Sequence, residues 1–158
     1  MTDAKFEDGT DTPLRLMAHD EAGLDVISAL LQDAVIPITE MRYDRRRRRF
    51  ALLLNRFRWE DSPAAQRSQR PFERVQSLLT FDDAQSVQTQ GINRSDRDMV
   101  LSLLSIAFVP GPDGTGRIDL ILAGDGAIAL QVETLDATLT DVSRPYAAPS
   151  GQMPKHDI

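Results

Sequence analysis

The sequence predicts an α+β domain: one N-terminal helix packed on a largely antiparallel, meander-type curled sheet of about seven or eight strands. Three observations carry that reading. A helical apolar period runs once, over 20–34. Two-residue alternation, interrupted by turn residues, recurs through most of the rest. Gly124-Asp125-Gly126 supplies a hairpin turn whose residues tolerate the positive φ that tight hairpins demand.

Leu14, Leu16 and Ala18 alternate with Arg15 and Met17, which predicts a short strand. Asp20 then offers an N-cap, with Glu21 in the first turn where negative charge suits the helix dipole. Leu24, Ile27, Leu31 and Ala34 recur at helical spacing, so the helix is expected over about 20–34. Pro37 ends it and pushes Ile36 extended. The period then shortens to two. Residues 38–43 and 50–59 read as a hairpin with its polar tip over Asp44 to Arg48. Residues 60–71 read as a polar loop. Phe72 to Phe81 and Ala84 to Ile92 read as strands turned by Asp82-Asp83, and Asn93 to Asp98 as a polar bridge. Residues 99–109 fit helix in part (Val100, Leu103, Leu104) and strand in part (Leu104, Ile106, Phe108). The turn from Pro110 to Gly114 favours strand. A hairpin over 116–123 and 127–133 follows, then a short element carrying Leu135, Leu139 and Val142. Joined in sequence, these hairpins curl into a half-barrel with the helix over one open face; a pleckstrin-homology-like barrel is one such form.

The chain has 158 residues, and the expected organisation is a disordered leader over 1–12, a single globular domain over 13–143 and an extended tail over 144–158. Residues 25–37 match 98–110 at five of thirteen positions, and both precede a hairpin; this fits an ancient duplication, with coincidence between Leu- and Ala-rich segments as the favoured reading. Zero Cys excludes disulfides, thiolate metal sites and Cys nucleophiles, and the two His, His19 and His156, leave little for zinc or imidazole catalysis. No metal or cofactor is called for. The acidic, polar start does not read as a signal peptide, and no apolar run reaches the roughly 18–20 residues of a membrane span. The expected address is the bacterial cytoplasm, without membrane association.

The formal net charge of −6 conceals an asymmetry. Residues 42–74 hold 11 of the 18 basic residues, all Arg, against four acids (Asp44, Glu60, Asp61, Glu73); the segment is +7 and the remainder −13. Arginine keeps its charge at working pH and pairs in fork geometry with carboxylate or phosphate. The binding candidates are therefore Arg45, Arg46, Arg47, Arg48 and Arg49 at the hairpin tip, with Arg56, Arg58 and Trp59 on the neighbouring strand. Interleaved arginines and aromatics resemble a base-stacking surface. The simpler reading is a solvated tip, with Arg56 and Arg58 facing water and Phe57 and Trp59 facing the core.

Other features read as structure. The stretches Gly111 to Gly116 and Gly124 to Gly126 join strand to strand and do not open a helix, unlike a phosphate loop. Asn93 to Asp98 resembles a truncated calcium loop but lacks its sixth-position Gly and distal Glu, so a capped bridge is expected. Asp82-Asp83 reads as a turn rather than an acid–base pair, and His19 as a local loop contact.

Four segments, Leu14 to Asp20, Ile27 to Ala34, Arg48 to Glu60 and Gly124 to Glu133, resemble a chiefly alphaproteobacterial family classed as a domain of unknown function. The resemblance spans about residues 13–143. It implies one domain in a bacterial cytoplasm and supplies no catalytic or binding residue.

The leading functional expectation is a non-catalytic binding or interaction module with a basic hairpin (42–59). The alternative is an enzyme or small-ligand protein whose pocket, beneath the helix, is lined by Arg and Asp. A protein partner or a homodimer fits the acidic body and basic arm, and a single species at monomer mass in sedimentation at high concentration removes the dimer. Weak RNA binding is the minor alternative. With about three phosphates engaged on single-stranded RNA, the log–log salt slope is expected to be about −2, at about 0.7 per phosphate. Replacing Arg45, Arg47 and Arg49 with Ser flattens it. A wild-type protein that binds no RNA at low ionic strength removes this reading.

Overall fold

The computed structural model describes residues 12–149 and 152–154. The residues expected as a leader, apart from Thr12, and His156 lie outside them. Eleven strands and two α-helices alternate along the described chain: β1 (Arg15–Ala18), α1 (Glu21–Leu30), β2 (Val35–Pro37), β3 (Met41–Asp44), β4 (Arg49–Phe57), α2 (Ser62–Arg67), β5 (Glu73–Phe81), β6 (Ala84–Gln90), β7 (Val100–Pro110), β8 (Gly116–Leu122), β9 (Ala127–Val132), β10 (Ala137–Asp141) and β11 (Tyr146–Ala147). The mainly antiparallel α+β class is as expected. The strand count is higher and a second helix is present.

Asp20 caps α1 as expected, accepting a hydrogen bond from Gly23 N at 2.8 Å. The helix stops at Leu30 rather than continuing to residue 34. Asp33 takes a left-handed conformation (φ 65°), and its amide turns to Leu103 O at 2.8 Å, so β7 captures the backbone that helix would have used. Inside the expected loop 60–71 lies α2, with Pro63 in its first turn, where a missing N–H costs nothing. Residues 99–109 resolve as the long strand β7, because β2 and β8 bond it on its two sides. The two segments with similar sequence therefore differ: 25–37 is helix, turn and strand, whereas 98–110 is almost wholly strand. In the stretch expected as tail, β11 pairs with β5 and Ala148 is buried.

The strand path runs β1-β10-β5-β4-β2-β7-β8-β9-β6, with β3 and β11 attached to β4 and β5. All strand pairings among the described residues are antiparallel, and β3–β4 and β7–β8–β9 pair as sequential hairpins. Strands β5 and β6 do turn at Asp82-Asp83, yet they do not pair with each other; β6 crosses to β9. The path is open, so the closed barrel form is not adopted. It is nonetheless strongly curled. Helix α1 packs on both β1 and β7, which stand five places apart. In a flat sheet, five steps of about 4.8 Å would separate them by about 24 Å, more than a helix about 10 Å wide spans.

Three adjacent strands send matching rows into the core. Phe50, Phe81 and Ala137 form one row, and Leu52, Leu79 and Leu139 the next. The third row is Leu54, Ser77 and Asp141, and Arg56 follows on β4 beside Val75. The core face thus changes from apolar to charged at one level across the sheet. Around the upper rows, α1 contributes Leu24 and Ile27, and β7 to β9 add Leu103, Ile106, Ile118, Leu120, Ile128 and Leu130. Leu79→Ala, in the fully buried second row, is expected to cost about 2–5 kcal/mol. Leu104→Ala, on the exposed side of β7, is expected to cost under about 1 kcal/mol. Urea midpoints of the two variants check the contrast.

Candidate functional site

The arginines of 42–74 separate into two populations. Arg56 and Arg58, expected to face water, are 0% and 4% exposed. The reason is strand phase. Arg56 stands in register with Phe50, Leu52 and Leu54, the inward residues of β4, and so points into the core. Its guanidinium donates Nη1 and Nη2 to the two carboxylate oxygens of Glu60 (2.9 and 2.8 Å) and Nε and Nη2 to those of Asp141 (3.1 and 3.0 Å). Nε also reaches Ser77 Oγ at 3.2 Å, and that hydroxyl donates to Asp141 at 2.7 Å. Burial pushes the Arg56 pKa down, but the bonds to Glu60 and Asp141 outweigh it and hold the pKa above the ordinary value. Arg58 donates to Glu73, and Arg70 makes a fork with Asp61 at 2.8 Å on each arm. Phe57 and Trp59 form a separate aromatic cluster with Phe72, and the Trp59 indole donates to Gln32 O at 3.1 Å.

Two arginines of the tip are also engaged. Arg48 donates to Glu133 at 2.6 Å and Arg49 to Asp82 at 2.8 Å. Gln85 and then Arg48 hold the Glu133 carboxyl below its usual range by hydrogen bonding to its charged form. Arg47 lies 3.9 Å from Asp44, whose side chain accepts the Arg47 amide and closes the turn. Arg45 and Arg46 form no ion pair among the described residues.

Arg45 instead lines a cavity of about 520 Å³. Strands β3 and β6 each pair on one side only, and the cavity occupies the gap between them. At one end the gap is laced shut: Ala84 N donates to Arg48 O at 2.9 Å and Tyr43 Oη to Ala84 O at 2.7 Å. Met41, Tyr43 and Arg45 project from one side with the two-residue period of a strand, and Val87 and Thr89 from the other. Ile38 and Phe50 complete an apolar wall. The third side is the bridge 93–98, which supplies Arg94 and Arg97. This bridge is capped as expected, with Asn93 accepting from Ser95 and Asp96 from Asp98 N. Among the described residues, Arg94 and Arg97 also form no ion pair, and no Asp or Glu lines the cavity.

Three arginines from two distant parts of the chain thus line one cavity with an apolar wall. Sequence reasoning singled out Arg45 but not Arg94 and Arg97, since the bridge pattern says nothing of what it faces. The described residues that line this cavity include no Asp and none from α1, where the Arg- and Asp-lined pocket was expected; a second depression, of about 360 Å³, is lined by Arg42, Asp44, Arg47, Arg49 and Ala51, away from the helix. Elsewhere, Asp82 and Asp83 serve the turn, Asp83 with φ 57° and accepting from Thr134 at 2.7 Å, and His19 contacts Asp136 at 3.4 Å. No group of three or more His, Asp or Glu arranged to hold a metal occurs among the described residues, and no helix there is long and apolar enough to cross a membrane.

The family model described as "Protein of unknown function (DUF2948)" matches residues 14–156, and the chain belongs to that family. No curated protein matches the sequence.

Two stability predictions follow from the buried network. Arg56→Met leaves Glu60 and Asp141 without their forked partner and is expected to cost about 3–5 kcal/mol; Arg56→Lys recovers only part, since an ammonium cannot make two forks. Urea titration at neutral pH checks both. Arg70 holds the Asp61 pKa below its ordinary 3.8 chiefly by hydrogen bonding. Its contribution is complete above the unfolded value and is lost as pH falls through the lower folded value. The wild type is therefore expected to lose stability on acidification below about pH 4, and Asp61→Asn to start lower and lose less, as read by urea midpoints between pH 6 and pH 2.

Proposed function

We propose that this protein is a non-catalytic binding module that holds an organic anion with an apolar part in the cavity between β3 and β6. One observation carries the reading. Arg48, Arg49, Arg56, Arg58 and Arg70 all have carboxylate partners, whereas Arg45, Arg94 and Arg97 stand unpaired around one apolar wall. Like charges around one cavity, with no ion-pair partner among the described residues, repel one another, and a bound anion relieves that repulsion. The wall of Ile38, Met41, Tyr43, Phe50 and Val87 offers burial to the rest of the ligand.

This keeps the basic hairpin as the binding element, with Arg45 as its one cation in the site and Tyr43 and Phe50 in the wall. The RNA reading has less support, because Arg48 and Arg49 are ion-paired and the side chains of Arg56, Arg58 and Trp59 are engaged within the fold. A cytoplasmic address remains part of the proposal.

The probe 1-anilinonaphthalene-8-sulfonate joins one anionic group to an apolar body. The folded protein is expected to bind it at one saturable site. Arg45→Ser/Arg94→Ser/Arg97→Ser should weaken binding by about tenfold or more, while Arg46→Ser leaves it unchanged. The three side chains are exposed and unpaired, so the triple variant is expected to fold with stability within about 0.5 kcal/mol per substitution. Wild-type affinity in the folded triple variant would overturn the assignment.

A further inference from the structure

We infer that the ligand of this cavity is a phosphate monoester carried on an apolar body, rather than a carboxylate. The inference rests on the reading of the cavity as an anion site and adds the chemical class of the anion.

Charge count comes first. Among the described residues, three arginines line the cavity and no acidic side chain does. A monocarboxylate would leave two of those charges uncompensated, whereas a phosphate monoester brings about −1.5 to −2 at neutral pH. Donor geometry points the same way. Arg45 comes from the hairpin tip, and Arg94 and Arg97 come from the bridge, so the three side chains reach the cavity from two separate segments of the chain. A carboxylate presents two oxygens in one plane and suits one or two forks. A phosphate presents three terminal oxygens in a tetrahedral spread, so each of three arginines can take one.

The remaining lining divides by chemistry. Thr39 and Thr89 add hydroxyls able to donate to phosphate oxygens, whereas Tyr43 already donates its own to Ala84 O. Ile38, Met41, Phe50 and Val87 offer nothing to a bare phosphate ion. They give an alkyl or aromatic body a surface to leave water against, which distinguishes an ester from inorganic phosphate. Such an ester could be a free soluble molecule or the headgroup of a lipid, and the chemistry that recognises it is the same.

Isothermal titration of the full chain with octyl phosphate, octanoate and inorganic phosphate tests this. Octyl phosphate is expected to bind about tenfold or more tightly than either of the others. In Arg94→Ser/Arg97→Ser, its advantage over octanoate should shrink to about twofold or less, because one remaining arginine serves a carboxylate as well as a phosphate. Octanoate binding as tightly as octyl phosphate overturns the phosphate inference and leaves the anion site standing. Inorganic phosphate binding as tightly overturns the ester. If neither amphiphile binds, the anion-site reading itself falls. Flotation with phosphatidylcholine vesicles containing phosphatidic acid separates the sources. Arginine-dependent co-flotation supports a lipid headgroup, and binding of the soluble ester without co-flotation supports a free one.

Discussion

A fully buried guanidinium, Arg56, organises the polar end of this molecule. Its four fork bonds to Glu60 and Asp141 join the end of β4 to the turn that follows it and to the last residue of β10. Asp141 also accepts the amide of Leu14 at 3.0 Å, so the entry to β1 is fixed by the same carboxylate. Arg58 and Arg70 extend the cluster to Glu73 and Asp61, which tie α2 to the start of β5. Charges taken out of water are costly unless their bonds are complete, so this end of the core tolerates one arrangement. The apolar rows above it then have only one level at which to stack.

That constraint bears on the cavity at some distance. Strands β4 and β5 are held together over their whole length, and the hairpin β3–β4 continues from them as a stiff arm. Curling of the sheet brings β6 back beside this arm. There the contact amounts to the backbone bond at Ala84 and the Tyr43 hydroxyl, and no ladder forms. An open seam between two strand edges would ordinarily invite pairing with another chain. Here the gap is lined by side chains from both edges and bounded by the bridge 93–98, so it forms a concave site rather than a flat edge.

The arginines illustrate how one residue type serves two purposes. Those in phase with the core rows, or beside Glu133 and Asp82, are neutralised and hold elements together. Those that end up around the seam are left with unsatisfied charge, and the ligand site is built from that remainder. Of the eleven arginines in the basic segment 42–74, six (Arg47, Arg48, Arg49, Arg56, Arg58 and Arg70) are ion-paired within the fold, while Arg45 joins Arg94 and Arg97 of the bridge around the seam.

Much of the fold was legible from the chain. The cap at Asp20, the two-residue alternation of β4, β5, β8 and β9, and the glycine turn at 124–126 are local signals, set by backbone sterics and side-chain period. Even the burial of Arg56 was present in the phase running Phe50, Leu52, Leu54, Arg56; reading the phase from Phe57 and Trp59 instead assigned the arginines to water. Local period does not determine which strand pairs with which. The end of α1 at Leu30, the crossing of β6 to β9 and the pairing of β11 each depend on a partner far away in sequence. The candidate site belongs to that second kind. Arg45 was visible as part of a conspicuous run, but Arg94 and Arg97 gain their meaning only because the sheet curls without closing. Sequence alone determined the elements, their period and the supply of charge; tertiary structure decided which charges are neutralised, because neutralisation depends on distance through space.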